Sequence, residues 1–548
     1  MTSDLKTPLE MFYQWESETP DKVFLRQPKN LVWTEYTWKE VASQVRKVTS
    51  FLNEKGFEKG SRIGIWSSNS KDWPIVDLAI QMSGHIGVPL YPGQDVQSAN
   101  YILDHSETKL VFVGSIDQAA NIEKALTPDL EVVGMLGCDV ACGTTLEEIN
   151  KDYEPFTGSP VPNADDLFTI VYTSGTTGAP KGVMHTYGAA SFVAPEFVTA
   201  FKLGDGEARL FSFLPMSHIA ERVAVEIAGI YANASISFSE GLATFADEIR
   251  SVQPTFFFAV PRLWMKFKEG VDAKIPPAIQ ATLTAEQRQG IIQLLGLGSA
   301  KLIVTGSAPL APDIQDWYLN MGIVLRDAYG VTENFIHGTG WLKDDKPISG
   351  CVGQPLSKHV RVRISDEGEI QFSSKGVMKG YYKNPEKTAA VFDGEWYRTG
   401  DAGRFDEDGN LWITGRISEA FKTSKGKFIV PTKLENYFGR SDKLAQFCVF
   451  GLGEPQPMVL VTLSDLGAAC DRADLKTELT ELLEGINSEL PAYERVSKIC
   501  VTPTWTIDNQ LLTPTMKIKR REIEAFYKSQ VAQNSDADAV VFIDNGVS

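Results

Sequence analysis

The feature of this sequence that most restricts its fold is the regular alternation of short apolar runs with segments of helical periodicity. The run RIGIWSS (62–68) precedes the amphipathic segment DWPIVDLAIQMSGHIG, and KLIVTG (301–306) precedes APDIQDWYLNMG. Apolar runs of this length between helical segments are typical of buried strands in βαβ units. The alternation therefore predicts an α/β protein whose large amino-terminal part consists of layered, largely parallel sheets.

The pattern changes in the last third of the chain. VRVRISDEGEIQFSS and AGRFDEDGNLWITGR alternate polar and apolar residues around turn sequences, which predicts antiparallel hairpins in a small β-barrel-like subdomain at about 355–415. The remainder, 416–548, mixes short strands with the helical segment LKTELTELLEGINSEL and is predicted to be a small α+β domain. Its last residues, 533–548, are expected to form a loosely held tail. A length of 548 residues agrees with at least two folding units.

Composition and charge exclude several classes of function. The chain has 53 basic and 70 acidic residues and a net charge of −17, which argues against sequence-independent binding to nucleic acid. It does not exclude a small anionic ligand held by one loop. Six cysteines are too sparse for a disulfide framework, and no second Cys or His pair at zinc spacing accompanies the one close pair, Cys138 and Cys142. With no leader pattern and no apolar run long enough to span a bilayer, the expectation is a soluble, cytoplasmic protein.

A glycine- and hydroxyl-rich loop follows the apolar run 167–171. The segment IVYTSGTTGAPKGVMHT (170–186) packs four hydroxyl residues and two glycines into 173–178 and then adds Pro180, Lys181 and Gly182. Such a loop can surround an oxyanion with N–H and O–H groups. The spacing does not fit a Walker loop, because Lys181 is followed by glycine and not by serine or threonine. We interpret the segment as a lid over a polyphosphate with Lys181 as counter-charge; the competing interpretation is an exposed linker.

The stretch YTSGTTGAPKGV resembles the signature loop of the adenylate-forming superfamily, which includes acyl- and aryl-CoA synthetases, luciferases and adenylation domains. Further motifs follow in that superfamily's order: FLPMSHIAER (213–222), VTGSAPL (304–310), DAYGVTEN (327–334), WYRTGD (396–401), GRISEAFKTSKGKFIVP (415–431) and LTPTMKIKRR (512–521). FFFAVPRLW (256–264), FKTSKGKFIVP and LTPTMKIKRR are most similar to the long-chain fatty acyl-CoA synthetase branch.

The resemblance implies a role in ATP binding for a set of residues. The residues that would hold the β- and γ-phosphates are Thr173, Ser174, Gly175, Thr176, Thr177, Gly178 and Lys181. Thr332 would contact the α-phosphate, and Glu333 would hold Mg²⁺, a hard cation that prefers oxygen ligands. The residues that would surround the nucleoside are Gly306, Ser307, Ala308, Asp327, Ala328, Tyr329, Gly330, Asp401 and Arg416, with Tyr329 on adenine and Asp401 on the ribose.

Two further residues are implied to act on the reacting groups. Lys517 matches the lysine that enters the site during adenylation, and His218 resembles a histidine of the acyl pocket. For His218 a satisfied core imidazole is an equally good interpretation. Each of the other residues also has a structural interpretation when it is considered alone. Tyr329 could be a core aromatic residue, and Glu333 could be a charge at a helix N-terminus. Asp401 could be a turn residue, and Lys517 could belong to a solvated basic face. Their joint order along the chain favours the site.

The small domain carries the departures from the superfamily's pattern. Ser418 stands where relatives have aspartate or lysine at the hinge, and Met516 replaces a glycine before the lysine. Lys425 replaces a common glycine, in keeping with the long-chain branch, and the resemblance assigns Lys425 and Gly426 to coenzyme A. The hinge near Ser418 can still absorb a backbone change, so the departures affect the timing of the steps rather than the first step.

These motifs together imply an AMP-forming acid–thiol ligase that uses ATP, Mg²⁺ and coenzyme A. The predicted acyl pocket, between 213–240, 256–264 and 304–336, is apolar, and Glu221 is the only acid in the stretch MSHIAERVAV that follows Pro215. This favours a medium- or long-chain fatty acid. The alternatives are an aryl or other carboxylic acid, delivery of the acyl group to a carrier protein, and a scaffold that has lost catalysis. Acyl chain length, peripheral membrane contact and a homodimer are left open.

Overall fold

The computed structural model of the protein describes residues 5–116, 123–173, 179–204, 206–513, 517–534 and 538–543. In chain order the strands are β1 Val23–Lys29, β2 Val32–Thr37, β3 Arg62–Trp66, β4 Ile86–Leu90, β5 Thr108–Val113, β6 Glu131–Gly134, β7 Thr144–Thr145, β8 Leu167–Thr173, β9 Lys181–Thr186, β10 Arg209–Ser212, β11 Ser235–Phe238, β12 Phe256–Ala259, β13 Leu302–Thr305, β14 Leu325–Asp327, β15 Thr339–Gly340, β16 Gln354–Pro355, β17 Arg361–Ile364, β18 Glu369–Ser373, β19 Gly380–Tyr381, β20 Phe392–Asp393, β21 Trp396–Phe405, β22 Leu411–Arg416, β23 Phe421–Lys422, β24 Phe428–Ile429, β25 Leu444–Phe450, β26 Met458–Leu463, β27 Ile499–Thr502 and β28 Val540–Phe542.

The helices separate these strands in the way that the sequence predicts. The α-helices are Pro8–Glu18, Trp38–Glu54, Asp72–Met82, Val96–Ser106, Leu146–Asp152, Tyr187–Ala200, Ile219–Glu221, Ala228–Tyr231, Phe245–Val252, Pro261–Asp272, Pro277–Gln280, Ala285–Leu294, Pro312–Met321, Pro385–Ala390, Pro431–Phe438, Asp465–Ala468, Arg472–Glu489 and Arg520–Gln533. Arg222–Ile227 is a π-helix, and Thr332–Asn334 and Ile417–Glu419 are 3₁₀ turns. Many helices begin at a threonine cap or at a proline in the first turn, as Thr37 and Pro312 illustrate.

The largest sheet has eight strands in the order β19-β9-β8-β4-β3-β5-β6-β7. The pairs from β8 through β7 are parallel, whereas β9 runs antiparallel to both β8 and β19. Every residue of β4 is buried, which explains why the interior strands appear in the sequence as continuous apolar runs. The predicted layered, largely parallel architecture is confirmed.

Two smaller sheets complete the amino-terminal layers. One has the order β10-β11-β1-β2, and the other, β12-β13-β14, is wholly parallel. Because parallel strands end at the same edge, the residues that follow β13 lie beside those that follow β14. This edge positions two of the motifs singled out in the sequence.

The antiparallel hairpins predicted after residue 355 are present. Strands β17, β18, β21 and β20 form an antiparallel sheet in that order, with β22 paired to β21. In the β21–β22 pair Asp401 faces Arg416. The strand pairing therefore brings together two residues that are separated by a turn in the sequence.

The last sheet, β25-β26-β27-β28, mixes parallel and antiparallel pairs and packs against the helices Pro431–Phe438, Arg472–Glu489 and Arg520–Gln533. Two hydrophobic clusters draw all of their described members from 421–543. The expectation of a loose tail at 533–548 is wrong for 540–542, because β28 pairs in parallel with β27 and Val540 is 1% exposed. Burial of its apolar side chains outweighs the polar sequence around it.

A group of charged side chains lies inside the amino-terminal core. Arg222, on the π-helix, donates to Asp77 Oδ1 at 2.5 Å and lies 3.4 Å from Glu226 Oε2, and it also donates to Thr169 on β8. The side chains of these three charged residues are 1–2% exposed. We call Arg222, Asp77 and Glu226 the core ionic network.

Among the helices of the described residues, none combines the length and the apolar character that crossing a bilayer requires.

Candidate active site

The glycine-rich segment leaves the largest sheet between two paired strands. Thr173 ends β8 and faces Lys181, the first residue of β9, across an antiparallel pair. The hydroxyls and glycines between them, Ser174, Gly175, Thr176, Thr177 and Gly178, lie outside the described residues. The described flanks fix where this segment begins and ends.

Lys181 contacts a tyrosine from a distant part of the chain. Its ammonium group is 4.7 Å from the ring centroid of Tyr381 and 3.4 Å from the Tyr381 hydroxyl. Burial lowers the pKa of Lys181, Glu333 opposes that shift, and Lys387 and Arg416 add to it. Tyr381 lies on β19, which pairs with β9.

The carboxyl ends of β13 and β14 bring Gly306 close to Ala328, and Ser307 and Ala308 follow Gly306 directly in the chain. Ala328 donates its N–H to Thr305 at 2.9 Å, and a Cβ on Gly306 would lie 2.9 Å from the carbonyl oxygen of Ala328. Glycine is therefore required for this approach of two backbones. Burial raises the pKa of Asp327, at the end of β14, to about 8, so its carboxyl group is protonated at neutral pH.

Tyr329 and Asp401 meet where this edge approaches the β21–β22 hairpin. The Tyr329 hydroxyl donates to Asp401 Oδ2 at 2.5 Å, and Arg416 Nε lies 3.0 Å from Asp401 Oδ1. Burial raises the pKa of Asp401, while Arg416 and the Tyr329 hydroxyl oppose that shift. Gly330 follows at a point where a Cβ would lie 2.6 Å from the backbone of Ile336.

Thr332 and Glu333 lie in the 3₁₀ turn that follows. Glu333 accepts a hydrogen bond from the Tyr381 hydroxyl at 2.8 Å, and its carbonyl oxygen accepts from Met378 N–H at 2.7 Å. The carbonyl oxygen of Thr332 lies 2.8 Å from His185 Nε2 on β9. Burial lowers the pKa of His185 to about 3, so the ring is neutral and Nε2–H is the donor.

Lys517 enters the same region from the carboxyl-terminal sheet. Lys517 N–H donates to Thr513 Oγ1 at 3.1 Å, and Leu512 pairs with Ile518 in an isolated antiparallel bridge. Lys517 is exposed to solvent, although neighbouring protein desolvates its ammonium group and Arg416, Asp401 and Glu333 lie within electrostatic range of it. This desolvation is the main cause that lowers the pKa of Lys517, and the charge of Arg416 lowers it further. The carboxylates of Asp401 and Glu333 oppose this shift.

His218 borders the cleft in a neutral form. Its Nδ1 accepts a hydrogen bond from Ala220 N–H at 3.1 Å and caps the helix that follows. The pKa of His218 is lowered to about 3, mainly by burial and to a smaller extent by the charge of Lys517. Nε2 consequently carries the proton, and the ring lies 6.5 Å from that of Tyr91.

The structure does not bring every predicted residue into this group. Ser418 is exposed in the 3₁₀ turn after β22. Lys425 and Gly426 form the exposed turn between β23 and β24, and Gly426 adopts a φ of 77°. Within the described ranges, neither makes a hydrogen bond or ion pair with Lys181 or Asp401.

The charged residues that converge here are Lys181, Glu333, Asp401, Arg416 and Lys517, and we call them the cleft cluster. Three cations outnumber two carboxylates, which suits a polyanion. No cluster of three or more metal-ligating side chains exists among the described residues. Mg²⁺ usually binds one or two carboxylates and the substrate's phosphates, so Glu333 fits that cation when a polyphosphate supplies the other ligands.

Family comparisons match most of the chain in two segments. Residues 12–382 match the family described as AMP-binding enzyme, and 420–537 match the AMP-binding enzyme C-terminal domain. The chain belongs to the AMP-binding enzyme family. Within the cleft cluster, Lys181 and Glu333 lie in the first matched segment and Lys517 in the second, whereas Asp401 and Arg416 lie between the two segments.

Curated relatives of this AMP-binding enzyme align along most of its length. Long-chain-fatty-acid–CoA ligase 5 of Rattus norvegicus is 29% identical over 608 aligned residues, covering 96% of this chain and 88% of that protein. Long-chain-fatty-acid–CoA ligase FadD15 of Mycobacterium tuberculosis is 26% identical, covering 95% of this chain and 96% of the relative.

Solved structures share the fold. The anthranilate CoA ligase AuaEII in complex with anthranoyl-AMP superposes with a TM-score of 0.80 at 21% identity, covering 97% of this chain and 100% of the other. ATP-bound MatB from Rhodopseudomonas palustris superposes with a TM-score of 0.77 at 22% identity, covering 95% and 99%. The predicted fold class, with layered α/β sheets and a separate carboxyl-terminal domain, is confirmed in this AMP-binding enzyme.

Sequence reasoning missed Tyr381 and His185, the two side chains that contact Glu333 and the Thr332 backbone. Tyr381 is 200 residues from Lys181, and only the β9–β19 pairing reveals their contact. His185 could have been suspected from its place four residues after Lys181 on a strand that leaves the glycine-rich loop.

Proposed function

We propose that this AMP-binding enzyme activates a medium- or long-chain fatty acid with ATP and then forms its thioester with coenzyme A. The observation that carries this proposal is the convergence of Lys181, Glu333, Asp401 and Lys517 from four separate segments on one cleft. The names of the relatives that align over nearly the whole chain support the choice of substrate.

In the first step a carboxylate oxygen attacks the α-phosphorus of ATP, and the bond to the bridging oxygen breaks so that pyrophosphate leaves. Lys181, Thr173 and the segment 174–178 would hold the β- and γ-phosphates. Thr332 and Lys517 would act at the α-phosphate, where two anions must meet. Positioned cations stabilise that encounter without rearranging at the moment of reaction.

The nucleoside would occupy the edge formed after β13 and β14. Tyr329 and the backbone of 306–308 would flank adenine, with Asp327, Ala328 and Gly330 completing that wall. Asp401 would accept hydrogen bonds from the two ribose hydroxyls, and Arg416 orients Asp401 and opposes the rise in its pKa. The Tyr329 hydroxyl already fixes one Asp401 oxygen in place.

Glu333 would hold Mg²⁺ together with the phosphates. When bound, the cation neutralises phosphate charge and orients the polyphosphate. The Tyr381 hydroxyl donates to Glu333 Oε1 and not to Oε2, so Oε2 is the oxygen better placed for a cation.

The acyl group would lie beyond His218. Glu221 accepts hydrogen bonds from Ser212 Oγ and Phe213 N–H, and burial raises its pKa to about 8. A protonated, internally bonded Glu221 is a poor partner for an ammonium group, which argues against an amino acid substrate. The neutral His218 can offer Nε2–H to the substrate carboxylate.

The second step would follow a movement of the carboxyl-terminal domain, for which we propose a boundary after Gly415 and a pivot at Ser418. The family match that begins at 420 and the separate hydrophobic clusters support this division. Lys425 and Gly426, exposed in the present arrangement, would then contact coenzyme A. The thiolate attacks the acyl carbon and AMP leaves.

ATP–pyrophosphate exchange with a panel of carboxylic acids tests the proposal. Exchange with C12–C18 acids is expected, and addition of coenzyme A should then release AMP and acyl-CoA. Exchange confined to benzoates would replace the fatty acid with an aryl acid. Exchange without thioester formation would favour a carrier-protein acceptor, and no exchange with any acid would refute the assignment as a ligase.

For localisation we propose the cytoplasm. All six cysteines are free thiols, as expected in a reducing compartment. One relative is named as peroxisomal, so fractionation of cells that produce the tagged protein is the appropriate test.

A further inference from the structure

Tyr381 occupies an unusual place between two opposite charges. Strand β19 pairs with β9 so that Tyr381 faces Val183, two residues beyond Lys181. From there the aromatic ring lies 4.7 Å from the Lys181 ammonium group. The tyrosine belongs to none of the ATP-binding motifs discussed above.

The hydroxyl of Tyr381 connects the two charges without joining them. It lies 3.4 Å from Lys181 Nζ, from which it can accept, and it donates to Glu333 Oε1 at 2.8 Å. Within the described residues no direct ion pair joins Lys181 to Glu333. Tyr397, which is 3% exposed, packs with Tyr381 in one hydrophobic cluster and helps to fix the ring.

Without a spacer these two charges would attract each other strongly, because a partly desolvated site screens them poorly. A direct Lys181–Glu333 pair would occupy the cation meant for phosphate and the carboxylate meant for a metal. We propose that Tyr381 is a positioning residue that keeps Lys181 and Glu333 apart, so that both are available to MgATP. This inference rests on the nucleotide-binding part of the proposed function.

The energetic consequence concerns affinity more than chemistry. If the free enzyme formed the direct pair, MgATP could bind only the fraction of molecules in which the pair is broken. The apparent dissociation constant rises as the inverse of that fraction. The rate after binding would change little, because bound phosphates and Mg²⁺ would then have separated the two residues.

The first test compares Tyr381→Phe with Tyr382→Phe. Phenylalanine keeps the aromatic face and removes only the hydroxyl. Tyr382 is a matched control, because its ring contacts His105 and Lys383 and not the cleft cluster. Tyr381→Phe should raise the KM for MgATP and its calorimetric dissociation constant about five- to tenfold, as when roughly 80–90% of free enzyme holds the direct pair. The kcat should change less than about twofold, and Tyr382→Phe should match the wild type.

A second test needs neither ATP nor activity. The rate at which acetic anhydride modifies Lys181, followed by mass spectrometry against pH, reports the ionisation of its ammonium group. The charged groups that act on Lys181 are Glu333, Lys387 and Arg416. Tyr381→Phe should move the reaction midpoint to higher pH, since a direct pair favours the charged form, and adding Glu333→Gln should remove that movement.

Equal MgATP affinity and equal Lys181 profiles in wild type and Tyr381→Phe would overturn the proposal. A loss of kcat with unchanged affinity would also overturn it, because it would assign the hydroxyl to the chemical step. If the wild type exchanges no pyrophosphate with any acid while the Tyr381→Phe profile still moves, the ligase assignment fails and the spacer stands.

Discussion

The core ionic network and the cleft cluster are both groups of charges taken partly out of water, but they are built in opposite ways. In the core network Arg222 lies against Asp77, and the pKa of Glu226 is raised by desolvation and, to a smaller extent, by Asp77. In the cleft cluster three cations face two carboxylates, and a tyrosine hydroxyl lies between one such pair.

This difference separates a structural role from a binding role. The core network is buried away from any ligand in solution and joins the π-helix to β8 through Thr169. A cluster with excess positive charge, in a protein of net charge −17, is a local attraction for an anion. Substitutions in the two groups should therefore affect different measurements.

The largest effect is expected for Arg222→Met. Removing one member of a buried pair leaves Asp77 without its cation and should cost about 3–5 kcal/mol of unfolding free energy. Urea unfolding followed by fluorescence measures the loss. Arg440→Met is the control, because Arg440 is 40% exposed beside Asp313 and Glu489 and should cost no more than about 1 kcal/mol. Equal losses in the two variants would contradict the structural role.

Lys517→Ala should lower the rate of adenylation by about 100- to 1,000-fold, the usual cost of one electrostatic group in a transition state. Its unfolding curve should match that of the wild type, unlike Arg222→Met. Thioester formation from supplied acyl-adenylate should largely survive. Both reactions are measured by rapid quench, and an equal fall in both would mean that Lys517 serves neither step selectively.

Glu221→Gln should change how stability depends on pH. The pKa of folded Glu221 is raised by burial to about 8 from an ordinary value of 4.5, so the folded state binds the extra proton. Its contribution is complete below pH 4.5 and declines as pH rises towards 8. The variant lacks this decline and should exceed the wild type at pH 8 by on the order of 1–3 kcal/mol. Unfolding curves of both proteins at pH 5 and pH 8 measure this difference. If the unfolding free energies of the variant and the wild type changed equally between the two pH values, Glu221 would be ionised in the folded protein.

The smallest effect is expected for Ser418→Pro, which restricts the turn between β22 and β23. Adenylation should be unchanged, because the present arrangement already places Lys517 in the cleft. Overall turnover should fall several-fold, since the domain movement slows. Pyrophosphate exchange measures adenylation, and steady-state formation of acyl-CoA measures the overall turnover, so the two assays together separate the two effects. Unchanged turnover would place the pivot elsewhere.

The sequence predicted the parts of the fold that depend on local pattern. Alternating apolar and helical segments were sufficient for the parallel sheets, and the turn sequences for the β21–β22 hairpin that joins Asp401 to Arg416. It missed Tyr381 because the β9–β19 pairing is non-local and leaves no periodic trace. It missed the core ionic network because Arg222 beside Glu221 looks like a solvated pair. It misjudged 540–542 because a three-residue strand is too short to show a pattern.

The edge strand β28 has a practical consequence for anyone who produces this protein. It covers one side of β27, whose residues Ile499, Cys500 and Val501 pair with Val540, Val541 and Phe542. Truncation before Val540 would leave an open, apolar sheet edge, which invites self-association. Affinity handles and fusion partners therefore belong at the amino end, and shortened versions should retain the chain through Ile543.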